Sequence, residues 1–422
     1  MATLLRKLNL CTSTKVRIVV DELRNKVLFL QAGKDFVDVL LSFLTLPLGT
    51  IARLVSQESN MENIDVGSIS FLYESVTKLD KGKFLSALER ELLVRPINSM
   101  EQYCRLLKLN VDDTEKLRSF RCRDKKCELV SGCWNCRCFM DKKDELCSVS
   151  YHKKGFVPKT ATFIVSDDLS VKPDNSQSPI SIAKYLGCED VDTIKILTVN
   201  VTRREIIDLV KCSLVSTTPL TDVFVTKKLL CENPRPVNVL DLDDCRNGAL
   251  LVRNTIEIKA MVRKSNSKIL YALGEEDFAD LLLMFLRFPL GGVENMLNGN
   301  SGYDNIDNLF KSMLDLDPKR YMKSRKDMVS KQLKSNFNGQ KIMKSPSMYM
   351  VTDDLVVTPG SSASAISFLT ESKIPLSDLE EKLITIGNKE AHSLLKASLI
   401  SPTALTHGLG PFLATSKAKP LR

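Results

Sequence analysis

The stretch Asp35–Gly49, "DFVDVLLSFLTLPLG", returns at Asp277–Gly291 as "DFADLLLMFLRFPLG", with ten of fifteen positions identical. More blocks repeat in the same order. "NID" at Asn63–Asp65 recurs at Asn305–Asp307 with the same offset of 242. "SDDLSVKP" (Ser166–Pro173) returns as "TDDLVVTP" (Thr352–Pro359). "KCSLVSTTPLT" (Lys211–Thr221) returns as "KASLISPTALT" (Lys396–Thr406), seven of eleven identical. This is one unit of domain size written twice, not a solenoid of short repeats. The chain's 422 residues suffice for two or three cored domains. The expected division is a first repeat over 1–230, a linker over 231–255 and a second repeat over 256–422. The linker is read from the Pro- and Asp-rich run Cys231–Gly248.

Each unit opens with a predicted hairpin. "KVRIVVDELRNKVLFLQAG" and "IEIKAMVRKSNSKILYALG" set β-branched and apolar residues on both sides of a polar turn. A helix follows, for which Asp35 is the expected N-cap and Asp38 a favourable first-turn charge. Asp35, Asp38, Ser42 and Thr45 recur at three- and four-residue steps and predict a narrow wet stripe on a largely buried cylinder. Pro47 and Gly49 should end that helix and start the next, "TIARLV". Later, "TFIVSDDLSV" and "MYMVTDDLVV" read as strands broken by an aspartate turn. "TIKILTVNV" and "KLITIG" read as strands. Thr202 with Glu205 forms a capping box for a helix whose buried face is Ile206, Ile207, Val210 and Leu214. Ser377 with Glu380 is expected to cap a short helix, and Asn388 to open another. The fold class expected is α+β, two tandem copies of one unit.

The copies differ most in the middle. Eighty-two residues separate Asp80 from Phe163, but 31 separate Asp317 from Tyr349. The longer connector forms a Cys-rich insertion, about 100–160, carrying "CRDKKCELVSGCWNCRC". The chain has twelve cysteines and its N-terminus lacks an apolar signal core, which argues against a disulfide scaffold. The basic, acid-free start has the composition of a transit peptide, but the first strand begins too soon, near Val16. Zinc takes four thiolates in a tetrahedron. Cys122 and Cys127 offer one pair; Cys133 with Cys136, or Cys136 with Cys138, offers the second. Arg121, Arg123, Lys125, Lys126 and Arg137 would offset the thiolate charge. One structural zinc ion could then contribute about 10–16 kcal/mol of apparent binding free energy. A catalytic zinc would want an open position and His or carboxylate ligands, and His152 is the nearby imidazole. The bland reading is a free-thiol loop. The second copy carries instead a basic connector, Lys319–Lys344, with nine Lys/Arg against one Asp. That run either grips phosphates or is a solvated link with sparse aromatics, Tyr321 and Phe337.

On "RNKVLFLQAGKDFVDVLLSFLTLPLG", the later Cys136, Cys138 and Met140, and the "SDDL…P" block, the chain resembles a plant family catalogued as domain of unknown function number 674 (DUF674). The resemblance covers nearly the whole chain, duplication included. In that family the second cysteine pair tends to read Cys-x-Cys-Gly; here Phe139 stands at the glycine and Cys133 is extra. The second ligand pair therefore stays open among Cys133, Cys136 and Cys138. The resemblance implies a plant protein and brings no catalytic residues.

Other candidates weigh less. "QAGKDF" invites a phosphate loop through Lys34, but the full loop spacing is missing and "LGEEDF" sets Glu275 where Lys34 sits. Asp167/Asp168 and Asp353/Asp354 could bind metal, yet paired aspartates are ordinary turn residues and neighbours on an extended chain point apart. His392 and His407 align with Ile207 and Asp222, so neither is repeated. Ser181 and Lys184 lack companion motifs. No run approaches the roughly 20 apolar residues that span a bilayer. Hydrophobic content of 43% and charged content of 26% read as an intracellular globular protein, cytoplasmic or nuclear. The residues common to both copies are apolar, Gly, Pro and capping types, which shape a fold. They point to a non-catalytic interaction or scaffold protein with an unknown protein partner. The other readings are an RNA- or DNA-binding protein using the Cys-rich module and basic connector, and an enzyme with a site between the repeats.

Overall fold

The computed structural model describes residues 13–57, 60–104, 107–112, 155–174, 191–228, 251–322, 325, 341–415 and 417–418. The fold is α+β. In the first half the strands are β1 (Thr14–Asp21), β2 (Lys26–Gly33), β3 (Thr162–Ser166), β4 (Val171–Pro173) and β5 (Ile194–Val201). In the second they are β6 (Ile256–Arg263), β7 (Ile269–Glu275), β8 (Met348–Thr352), β9 (Val357–Pro359), β10 (Leu379–Ile386) and β11 (Lys417–Ala418). One sheet runs β4-β3-β2-β1-β5 and the other β9-β8-β7-β6-β10-β11, so the first five positions correspond. All pairs are antiparallel. Even the irregularity is shared: the β1–β2 register shifts at Val19/Val20 and the β6–β7 register at Met261/Val262.

Alternation sends Val16, Ile18 and Val20 to the core while Lys15 and Arg17 face out. Ile258, Ala260 and Val262 do the same in β6. The helices Lys34–Phe43 and Glu276–Phe285 pack on these inner faces. Phe36, Val37, Val39, Leu40, Leu41 and Phe43 are all buried, and each such large side chain contributes about 1.5–3 kcal/mol. One hydrophobic cluster runs through both halves, from Val16 to Leu413.

The repeated Pro-Leu-Gly segments, Pro47–Gly49 and Pro289–Gly291, meet each other, which explains why the block is present twice. Leu48 N donates to Phe288 O and Leu290 N donates to Leu46 O, both at 2.9 Å. Gly49 N donates to Leu286 O at 2.8 Å and Gly291 N to Leu44 O at 2.7 Å. Each bond has a mate with the halves exchanged, as in an isologous interface. Farther out, Val171 N donates to Ser312 Oγ and Val357 N to Ser75 Oγ. Ser68 Oγ donates to Ser401 O, while Asn305 Nδ2 donates to Ser216 O. The halves are therefore related by a pseudo-twofold axis through Pro47 and Pro289, which form an antiparallel bridge.

Several local expectations need correction. The first helix starts at Lys34 with Gly33 as N-cap, so Asp35 lies inside the first turn and caps nothing by its side chain. The stripe is polar but mostly dry: Asp38, Ser42 and Thr45 are buried, and the 156–157 backbone, Asn98 and helix carbonyls satisfy their polar atoms. The helix ends at Phe43, and Pro47 instead N-caps Leu48–Val55. Glu380 lies in β10, not in a helix after Ser377, because "LEEKLITI" continues the extended register against β6. Sheet register also pairs Gly33 with Thr162 and Glu275 with Met348, so Glu276, not Glu275, occupies the position of Lys34. The Thr202–Glu205 capping box is present, and the face Ile206, Ile207, Val210 and Leu214 is buried.

Candidate functional site

Buried carboxylates are among the polar groups common to both halves. Asp38 Oδ1 accepts from Phe156 N at 2.7 Å and Val157 N at 2.9 Å. Asp280 Oδ1 accepts from Ile342 N and Met343 N at 3.2 and 2.9 Å. Each anchors the segment that returns from the middle connector to the sheet. Burial raises the pKa of Asp38, opposed by Lys34, and pushes Asp280 up to about 7. Lys34 Nζ is fully engaged in the same knot, donating to Asp38 at 2.5 Å and to Val157 O at 2.7 Å. The phosphate-loop reading of Lys34 has no support in this geometry.

The paired aspartates behave as turn residues. Asp167 points inward and accepts from Leu220 N, Thr221 N and Thr221 Oγ1 at 2.9, 3.0 and 2.6 Å. Asp353 makes the matching bonds to Thr406 N and Oγ1. Those threonine hydroxyls accept from Val27 N and Ile269 N. Asp168 and Asp354 point the other way, toward Ser166 Oγ and Thr352 Oγ1 of their own turns. Leu169 and Leu355 take the left-handed conformation at φ 59° and 67°. Within each pair the carboxylates are thus divided between two jobs. Burial pushes Asp167 up to about 6 and raises Asp353.

Lys211 is another structural ion. Its Nζ, buried, donates to Gln57 O, Met61 O, Glu62 O and Asn63 Oδ1 at 3.0–3.3 Å. Desolvation lowers its pKa and Asp208 opposes the shift. Glu294 is fully buried, and neither carboxyl oxygen has a hydrogen-bond partner among the described residues. Burial, with Asp307 beside it, raises its pKa well above the usual range. Ser401 Oγ lies 2.8 Å from His407 Nδ1, which superficially resembles a nucleophile–base pair. Thr403 N donates to Ser401 Oγ, as Thr218 N does to Ser216 Oγ in the first half. That repeated turn opens the helix Ala404–Leu409 and accounts for the contact without chemistry. His392 is buried with Nδ1 on Asn388 O, and desolvation lowers its pKa. Cys104 is buried, and burial pushes its thiol up to about 12, which disfavours the thiolate form.

The proposed zinc ligands Cys122, Cys127, Cys133, Cys136 and Cys138 lie outside the described residues, as do His152, Ser181 and Lys184. So do 323–324 and 326–340 of the basic connector and 231–250 of the linker. Among the described residues no group of three or more His, Cys, Asp or Glu is placed to hold a metal, and no helix is long and apolar enough to cross a membrane.

One open feature among the described residues lies between the halves. A cleft of about 520 Å³ is lined by Pro158, Thr160, Thr162 and Asp174 from the first half and by Arg320 and Tyr321 from the second. Asp174 Oδ2 accepts from Gln31 Nε2 at 2.6 Å. The Arg320 guanidinium lies 5.1 Å from the Tyr321 ring centroid. In the sequence Arg320 and Tyr321 belong to the basic run read as either phosphate-gripping or a solvated link, and nothing there marked Asp174.

With this architecture in view, comparison gives one family. The family model described as "Protein of unknown function (DUF674)" matches residues 12–342 and 324–389, and the chain belongs to that family. Neither a curated protein nor a solved structure matches it.

Proposed function

We propose that the chain is two copies of one α+β unit joined as an intramolecular pair, acting as a non-catalytic interaction scaffold. A structural zinc would be held in the first copy's insertion by Cys122, Cys127 and two of Cys133, Cys136 and Cys138. The observation that carries this reading is the use made of the polar residues common to both halves. Asp38/Asp280, Asp167/Asp353 and Thr221/Thr406 are all engaged with backbone inside the fold. Duplication has kept scaffolding chemistry, not a reacting constellation.

A partner has a surface to use. β5 is an edge strand, and among the described residues nothing pairs with its outer side, whereas β11 covers the corresponding edge at β10. Ile196 on β5 is 67% exposed. An open edge is a template for a partner's strand. The test joins both parts. Purified protein should carry a single zinc, lost with Cys122→Ser/Cys127→Ser. A partner enriched on the wild-type chain should be lost with Ile196→Lys at unchanged circular dichroism. Protein with substoichiometric zinc sinks the metal assignment, and a partner insensitive to Ile196→Lys sinks the edge. The polar cleft favours a second reading, a site for a small molecule between the halves.

A further inference from the structure

The pseudo-twofold relation makes one departure from symmetry informative. At one seam Phe84 pairs with Met343, Leu85 N donates to Ile342 O at 2.8 Å and Lys344 N donates to Lys83 O at 2.9 Å. Backbone closes that seam. At the related seam the counterparts of Lys83, Phe84 and Leu85 are Arg320, Tyr321 and Met322, counted from Asp80 and Asp317. The counterparts of Ile342, Met343 and Lys344 are Phe156, Val157 and Pro158, fixed by their shared bonds to Asp280 and Asp38. Proline has no N–H, so the bond made by Lys344 has no equivalent at Pro158. Met322 N bonds instead to Asp317 O at 3.0 Å. The cleft lies beside Pro158, where the Lys344 bond has no equivalent.

The groups around it are also particular to this seam. Asp174 replaces Gly360, since Asp174 N and Gly360 N make matching bonds to Thr162 O and Met348 O. Arg320 makes no hydrogen bond or ion pair among the described residues, yet its guanidinium is oriented by the Tyr321 ring. A planar, uncommitted guanidinium suits a bidentate oxyanion. Lys159 and Lys319, both exposed, adjoin Pro158 and Arg320 in sequence. Asp174 repels an anion placed against it but accepts hydrogen bonds from hydroxyls. Gln31 fixes one of its oxygens at 2.6 Å. The two walls therefore ask for different ends of one ligand, and the cleft's volume of about 520 Å³ is in the range of small-molecule sites.

We propose that this cleft binds a small molecule with an oxyanion at one end and hydroxyls at the other, of the class of sugar phosphates. Arg320 and the Thr160 and Thr162 hydroxyls take the oxyanion, and Asp174 takes the hydroxyls. The proposal goes beyond the scaffold reading and does not depend on the zinc or on β5. The probes are ribose 5-phosphate, inorganic phosphate and ribose, titrated into the full chain by calorimetry and by NMR. Ribose 5-phosphate is expected to bind most tightly. Arg320→Ala should weaken both phosphate-bearing probes at least about tenfold, the loss of one charged hydrogen-bonding group. Asp174→Asn should weaken ribose 5-phosphate and leave inorganic phosphate unchanged or tighter. Pro158→Ala, which restores the missing donor without adding charge, should narrow the cleft and weaken ribose 5-phosphate binding, with far-ultraviolet circular dichroism unchanged. Absence of saturable ribose 5-phosphate binding at millimolar concentration overturns the proposal. So does binding that Arg320→Ala leaves intact, or equal binding of all three probes.

Discussion

The pairing of the two Pro-Leu-Gly segments is open to a sharp test at Gly49. A β-carbon built there would sit 3.1 Å from both Leu286 O and Leu93 O, and 3.3 Å from Leu286 Cβ. Gly49 also lies in the helix Leu48–Val55, where replacing glycine by alanine gains roughly 0.8–1 kcal/mol of propensity. For Gly49→Ala the small clash and the propensity gain nearly cancel, so the change should stay within about 1 kcal/mol of zero. Gly49→Val adds two methyl groups against the opposite half. Overpacking costs about 1–3 kcal/mol, and losing the Gly49 N bond to Leu286 O costs about 0.5–1.5 kcal/mol more. Valine keeps less of the propensity gain, which leaves a net loss of roughly 2–3 kcal/mol. Gly291→Val should cost a similar amount, because Gly291 N bonds to Leu44 O in the same way. Urea unfolding followed by far-ultraviolet circular dichroism measures both variants. One transition should shift as a whole, since a single hydrophobic cluster spans the halves. A curve that splits into two steps with only one displaced, or a Gly49→Val midpoint equal to wild type, refutes the shared-seam reasoning.

Two further outcomes are expected. Burial puts Asp280 up to about 7 against an ordinary carboxyl value of 3.8, so the folded state binds the extra proton between these values. Stability from this group is then highest below about pH 4 and falls as pH rises toward 7. Going from pH 7 to 5.5 should add up to about 1.5 kcal/mol in urea titrations, and Asp280→Asn should flatten that increment; an unchanged slope contradicts the assignment. Lys211→Met removes an ammonium that four oxygens share. It should destabilise by about 2–4 kcal/mol and expose the Met61–Asn63 segment to faster hydrogen exchange, whereas protected amides there would show the segment holds itself.

The duplication, the hairpins, the aspartate turns and the Thr202–Glu205 box were legible in the residues, because each is written by contacts a few positions apart. The α+β class followed from the same periodicities. Asp38 was visible as a repeated polar group on an apolar helix, but its partners, Phe156 and Val157, lie 118 and 119 residues away. Distance along the chain hid them. For the same reason a stripe that reads as wet is dry, since only packing decides what covers it.

What the amino-acid order determined alone is therefore the repeated unit and its local turns, which depend on backbone preference and short-range capping. The tertiary structure decided how the units meet: through each other's Pro-Leu-Gly edges, with one bond of each kind given and one received. It also decided where symmetry fails. Pro158 is a single residue without an N–H, and its effect on the seam becomes apparent only when Arg320, 162 positions later, is brought opposite it.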